Sequence, residues 1–353
     1  MASVRTAQAV GSEGSSHGGF TAGDWALLAS VAVAWGASFL FIKIGVEGLG
    51  PGLVAVLRLA FGVITLAVLP AARRPVPRSA WPPIALLGVT WMAIPFVLFP
   101  LAEEQVGSSL AGMLNAAAPL FTAAIGALVW RRIPGRRQRL GLAAGFVGVV
   151  VICWPSLRYA HAATTGAALV LAATVLYGVA FNLAAPLQSR YGALPVIWRA
   201  ELAALAVVAP FGIAAAPSSS FAWPSLLAVA ALGCLGTGAA FAAFTTLAGR
   251  AGPIRASVTV YFVPAVAIAL GAAVRGEPIT AAGLAGTALV LAGAYQTSRG
   301  EPGSHRLAGH RPCAGARLAA TVRRRVMTVG AGHDTTRSPW PLDRADRSDQ
   351  PAA

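Results

Sequence analysis

Charged side chains inside apolar runs are where this sequence first suggests chemistry. The stretch FLFIKIG holds Lys43, the only lysine among 27 Lys plus Arg. Arg58 and Glu201 lie inside further apolar runs. A charge at the centre of a hydrocarbon span costs about 2.5–3.5 kcal/mol on insertion scales, so such groups face protein or water. Lys43 reads either as an ammonium snorkelling to the interface or as a cation facing a cavity. Arg58 falls at a similar depth on the next, antiparallel span, and either packs against backbone carbonyls or lines that cavity. Glu201 is the candidate for proton coupling, with simple interfacial placement as the alternative, and Arg199 two residues away is a poor same-face partner. Glu103 and Glu104 close a span and read as solvated. Trp35, Trp91, Asn115, Asn182 and Tyr261 are polar-edged or large groups that line a cavity or bond neighbouring helices. Asn115 and Tyr261 precede Pro119 and Pro264 by four and three residues.

The elements that must position these groups are membrane spans. Of 353 residues, 56% are hydrophobic and only 11% charged, with mean hydropathy +0.68. A soluble domain has about a quarter of its residues charged, so the bilayer is the better solvent. A span needs roughly 20 apolar residues. Apolar runs fall near 25–46, 52–70, 82–101, 108–129 and 139–154, then near 165–185, 196–214, 224–247, 255–274 and 279–297. Residues 1–23 lack the basic-then-apolar order of a cleaved signal and read as a disordered cytoplasmic N-terminus. Residues 299–353 hold ten arginines, five acids and few large apolar residues, which reads as a disordered basic tail. Cys153, Cys234 and Cys313 form no CxxC and suggest neither disulfide nor metal. GLAAGFVG follows no strand, so it is no nucleotide loop.

The chain repeats itself. At a constant offset of 145, residues 106–150 match 251–295 at ten of 45 positions, including Pro119 with Pro264, Gly141 with Gly286 and Gly148 with Gly293. Further forward, AVAWGASFLF resembles ATVLYGVAFN at offset 142. The predicted units are residues 24–156 and 164–298, five spans each. An odd number of spans sets the two units in opposite senses across the membrane. Loop charge agrees: with the N-terminus inside, the inner loops hold eleven arginines, against Arg158 and Arg275 outside. The positive-inside rule then puts both termini in the cytoplasm. The fold class is all-α integral membrane: ten transmembrane helices as two inverted-topology repeats, followed by the tail.

Inverted repeats are the structural basis of alternating access, with the substrate site between the halves near the midplane. In order, WGASFLFIK, Pro51 with Arg58, GSSLAGMLNAAAPLFTAAIGALV and GEPITAAGLAGTALVLAGA resemble the EamA family of the drug/metabolite transporter superfamily over residues 24–298. The resemblance implies export or exchange of a small metabolite, amino acid or drug, coupled to protons or a counter-substrate. It departs at Arg131 and Arg132, where the family usually has Gly-Glu, and that weakens any catalytic reading of Glu277. Every histidine lies outside the predicted spans and no aspartate lies within one, so a membrane enzyme is disfavoured, and no cofactor is expected. A channel-like facilitator or a non-transporting sensor is the alternative. The implied partners are a small-molecule substrate and the lipid bilayer of the cell membrane, not nucleic acid, and the oligomeric state stays open.

Overall fold

A computed structural model describes residues 21–129, 135–159, 161–251 and 256–298. Arg131, Arg132, Arg255 and both terminal segments lie outside them. Among the described residues there is no strand. Seven helical stretches are long and apolar enough to cross a membrane, and three more are apolar but shorter. We number them α1 (Ala22–Val46), α2 (Pro51–Ala67), α3 (Arg78–Glu103), α4 (Ser108–Val129), α5 (Arg136–Tyr159), α6 (His161–Tyr191), α7 (Ala193–Ala215), α8 (Trp223–Ala251), α9 (Thr259–Arg275) and α10 (Ala281–Ser298).

Local chemistry sets the boundaries. Thr21 and Asp24 form a reciprocal capping box at the start of α1, which satisfies donors that a helix start leaves open. A single residue, Gly192, joins α6 to α7 at φ +86°, a conformation open to glycine without strain. The stretch RGEP ends α9: Gly276 adopts φ +64°, its N–H returns to Ala272 and Gly271, and Pro278 cannot continue a helix.

Three spans depart from regular helix where the sequence predicts plain ones. In α3, residues Val89–Ala93 wind as a π-helix, and in α8 the π-helical segment is Leu232–Ala239. Trp81–Pro82 matches Trp223–Pro224 at offset 142, but Phe96 matches Phe241 at offset 145. The second unit therefore carries three extra residues here, and its π segment, eight residues against five, is longer by the same number. The other departure is α4, which breaks at Ala116–Ala117 into Ser108–Asn115 and Ala118–Val129. Pro119 has no N–H for the carbonyl four residues back, so the ladder fails there.

Glycines seam the units together in repeat-related pairs. A Cβ on Gly36 of α1 would lie 2.5 Å from Val266 Cβ of α9. Its equivalent, Gly178 of α6, meets Phe121 of α4 in the same way, at 2.8 Å from the carbonyl carbon. Gly88 of α3 abuts Ala200 of α7, and Gly233 of α8 abuts Arg58 and Phe61 of α2. Gly148 of α5 and Gly286 of α10 each face the other's carbonyl oxygen. Small residues at such crossings let backbones approach, which is how apolar helices gain contact in lipid.

Candidate functional site

These crossings leave a cavity of about 110 Å³ between the two units. Its wall is a run of rings in edge or tilted contact. Phe39 meets Phe99 at 5.7 Å between centroids, Phe99 meets Tyr177 at 5.8 Å, and Tyr177 meets Phe181 at 6.0 Å. Trp91 then touches Phe181 at 5.5 Å and Phe241 at 5.2 Å, and Trp35 touches Phe241 at 6.0 Å. Much of the lining comes as repeat-related pairs: Trp35 with Tyr177, Phe39 with Phe181, Phe96 with Phe241, Trp91 with Gly236, Asn115 with Val260, and Ala118 with Val263.

Polar groups interrupt this wall at a few points. Arg58 is the charged side chain in the lining. Its guanidinium lies 3.6 Å from the centre of the Phe96 ring, and Nε donates to Thr237 Oγ1 at 3.0 Å. Thr237 in turn donates to the Leu232 carbonyl inside the π segment of α8. The Asn115 Oδ1 atom is buried with no hydrogen-bond partner. Pro119 and Pro264 cannot donate to the carbonyls of Asn115 and Val260, four residues back, and both those residues line the cavity. Aromatic faces, one cation and an unused acceptor suit a small amphipathic molecule carrying an anionic group and an N–H donor.

Four of the sequence candidates line the cavity: Trp35, Arg58, Trp91 and Asn115. The others lie elsewhere. Asn182 donates to the Thr122 and Gly178 carbonyls, tying α6 to α4. Tyr261 packs half-buried against the core beside the cavity-lining Val260. Lys43 and Arg58, expected as neighbours in depth, serve separate sites. The Lys43 ammonium donates to the carbonyls of Glu103 and Val106, the latter at 3.1 Å. A cation there satisfies acceptors left open at the end of α3. Glu201 is fully buried, its carboxyl beside Gly62 and Thr237. Arg199 turns away from it to the carbonyls of Ala72, Arg74 and Pro195.

Glu103 corrects the sequence reading outright. It is 0% exposed, while Glu104 next to it is exposed as expected. Glu277 has a structural role that spacing alone did not reveal. Its carboxylate accepts from the Ser108 N–H and hydroxyl, both at 2.8 Å, and from the Ser109 N–H at 2.7 Å. A residue of the second unit thus caps the first helix turn of α4, where a carboxylate meets free N–H groups and the positive end of the helix dipole. Burial pushes the Glu277 carboxyl up, and hydrogen bonds from Ser109 and Ser108 outweigh it, so it lies below the usual carboxylate value. The rings from Tyr177 and Phe181 were missed as site residues, although the offset-142 echo of Trp35 and Phe39 pointed to them.

A duplicated helical bundle enclosing an aromatic cavity between its two units has the form of a membrane carrier. The chain matches the EamA-like transporter family twice, over residues 23–154 and 164–299, and belongs to it. It is 30% identical over 297 residues to a probable terminal-alkyne amino-acid exporter of Streptantibioticus cattleyicolor, covering 80% of this chain and 95% of that one. It is 29% identical to a probable amino-acid metabolite efflux pump of Salmonella typhimurium, covering 77% of this chain and 93% of that one. A protein of known crystal structure shares the fold at TM-score 0.53 and 20% identity, over 78% of this chain and 96% of its own. The chain is a multi-pass membrane transporter, not an enzyme.

Proposed function

We propose that this chain is a secondary carrier of the cell membrane that exports or exchanges a small amphipathic metabolite by alternating access. The cavity walls carry this reading: they are built from repeat-related residues of both units, so exchanging the roles of the units rebuilds the same walls. Ten membrane-crossing helices in two inverted halves follow from that symmetry, the three shorter apolar helices completing five per half. Arg73, Arg74, Arg78, Arg136, Arg137, Arg139, Arg190 and Arg250 sit at helix ends that alternation places on one face, which favours both termini in the cytoplasm.

The substrate best suited to the lining is an amino-acid-like compound with an apolar or unsaturated side chain. Arg58 would hold its carboxylate, Asn115 its amine, and the rings its body; the names of the two relatives point the same way. Coupling to protons or to a counter-substrate falls to buried carboxyls, with Glu201 beside Thr237 one candidate. The test is counterflow in proteoliposomes with labelled L-propargylglycine, an amino acid ending in an alkyne. A carrier shows uptake accelerated by unlabelled compound on the far side. Uptake indifferent to the far side would mean a channel-like facilitator, and no uptake of any amino acid would defeat the reading.

A further inference from the structure

We propose that Glu103 is a proton-binding site, and that the carrier must fill it to close the end of the bundle where α1 finishes and α4 begins. This rests on the alternating-access reading. Glu103 is 0% exposed, and neither carboxyl oxygen has a hydrogen-bond partner. The charged groups facing it come from three directions: Lys43 on α1, Glu277 before α10, and Arg58 on α2. Each is committed elsewhere. The Lys43 ammonium donates to backbone carbonyls, one of them that of Glu103 itself. The Glu277 carboxylate is fixed by Ser108 and Ser109 and adds negative charge. Arg58 lies on Phe96 and Thr237. On its own helix, Glu104 is exposed.

A carboxylate stripped of water with no donor is far costlier than the neutral acid. The closed arrangement therefore holds Glu103 protonated. Position explains why this matters for the cycle. Phe96, Phe99 and Glu103 follow one another along one face of α3, so the carboxyl lies about one turn beyond the cavity. Around it, the units are joined by Glu277 to Ser108 and Ser109, and by the Arg275–Glu47 ion pair. Opening this end parts those contacts and admits water, where a glutamate is ionised at neutral pH. Closing then adds one proton to one carboxylate, drawn from the compartment this end faces. Reopening returns that proton to the same compartment, so no proton crosses the membrane; the site ties closure of this end to the pH of the compartment it faces. Glu201 is the other buried glutamate without a partner, but it lies beside Gly62, away from these joints.

Infrared spectroscopy of the full chain in lipid nanodiscs reads the site without any substrate. The wild type should keep a protonated-carboxyl band at neutral pH that Glu103→Gln removes and Glu201→Gln does not. In proteoliposomes with L-propargylglycine, wild-type counterflow should slow several-fold as the pH of the compartment this end faces is raised, while Glu103→Gln should lose that pH dependence. Glu103→Asp should retain it with a shifted midpoint, which a merely structural residue would not do. A band unchanged in Glu103→Gln, or pH-dependent counterflow unchanged in it, overturns the proposal. Absence of counterflow in the wild type defeats the carrier reading instead, and the infrared band then decides the proton site alone.

Discussion

The two units contribute to one cavity in unequal ways. Their apolar parts correspond: Phe39 with Phe181, Phe96 with Phe241, and Gly88 on Ala200 with Gly233 on Arg58. Their polar parts do not. Because Gly88 and Gly233 are equivalent, the residues they abut are equivalent too, so the counterpart of Arg58 is Ala200. Asn115 faces Val260 across the repeat, and Lys43 corresponds to Ala185. Glu277 corresponds to Arg132. The close glycine and ring contacts occur in both units, whereas the polar groups Arg58, Asn115, Lys43 and Glu277 occur once. Under the carrier reading, packing gives the two-state cycle and the unpaired polar groups give it a direction.

The largest effect expected is on the shared packing. A Cβ on Gly88 would stand 2.3 Å from the Ala200 carbonyl oxygen, and one on Gly233 would stand 2.5 Å from Phe61 Cβ. Overpacking of this kind costs about 1–3 kcal/mol. Gly88→Ala and Gly233→Ala should each lower thermal stability by about 2–3 kcal/mol, and by similar amounts. A large loss at one and none at the other would break the correspondence. Next comes Arg58→Met, which removes a charged donor at about 1.5–3 kcal/mol. Binding of L-propargylglycine should weaken about 30-fold, with counterflow lost and the fold retained. Unchanged affinity would remove Arg58 from the substrate site.

Much of the correspondence between the units could be read from sequence, for physical reasons. Apolar length fixes where helices run, and glycine and proline recur wherever backbones must touch or a ladder must break. The offset between Trp35 and Tyr177 is visible for the same reason. Contacts between distant segments were not legible. Glu103 ends a span, and nothing local distinguishes it from the exposed Glu104, yet it is 0% exposed. In sequence, Lys43 reads either as a snorkelling side chain or as a cavity cation because its acceptors lie 60 and 63 residues away. The π segments were hidden too, since three inserted residues leave hydropathy unchanged.

Glu277→Gln probes the one-sided joint. Removing the charge at the start of α4 should cost about 1 kcal/mol, seen as a lower melting temperature in lipid nanodiscs. The pH dependence has a definite sign. A carboxyl held below its unfolded value contributes stability that is present above that value and lost as pH falls through the folded one. The wild type should thus exceed Glu277→Gln at neutral pH and converge with it as pH falls past the usual carboxylate value and through the lowered folded one. A gap that widens in acid would mean the carboxylate is not what Ser108 and Ser109 hold.

Asn115→Val has the smallest expected effect and makes the two units alike at the cavity. It removes a buried acceptor with no partner, so stability should stay constant or rise slightly, because an unsatisfied polar atom no longer sits in an apolar wall. Affinity should fall by about 1 kcal/mol, roughly fivefold, for compounds whose amine donates to that oxygen. The matching carboxylic acid without the amine should bind as before. If both compounds weaken equally, Asn115 shapes the wall without reading the amine. If neither weakens, the polar difference between Asn115 and Val260 does not orient the substrate, and Arg58 alone sets its direction.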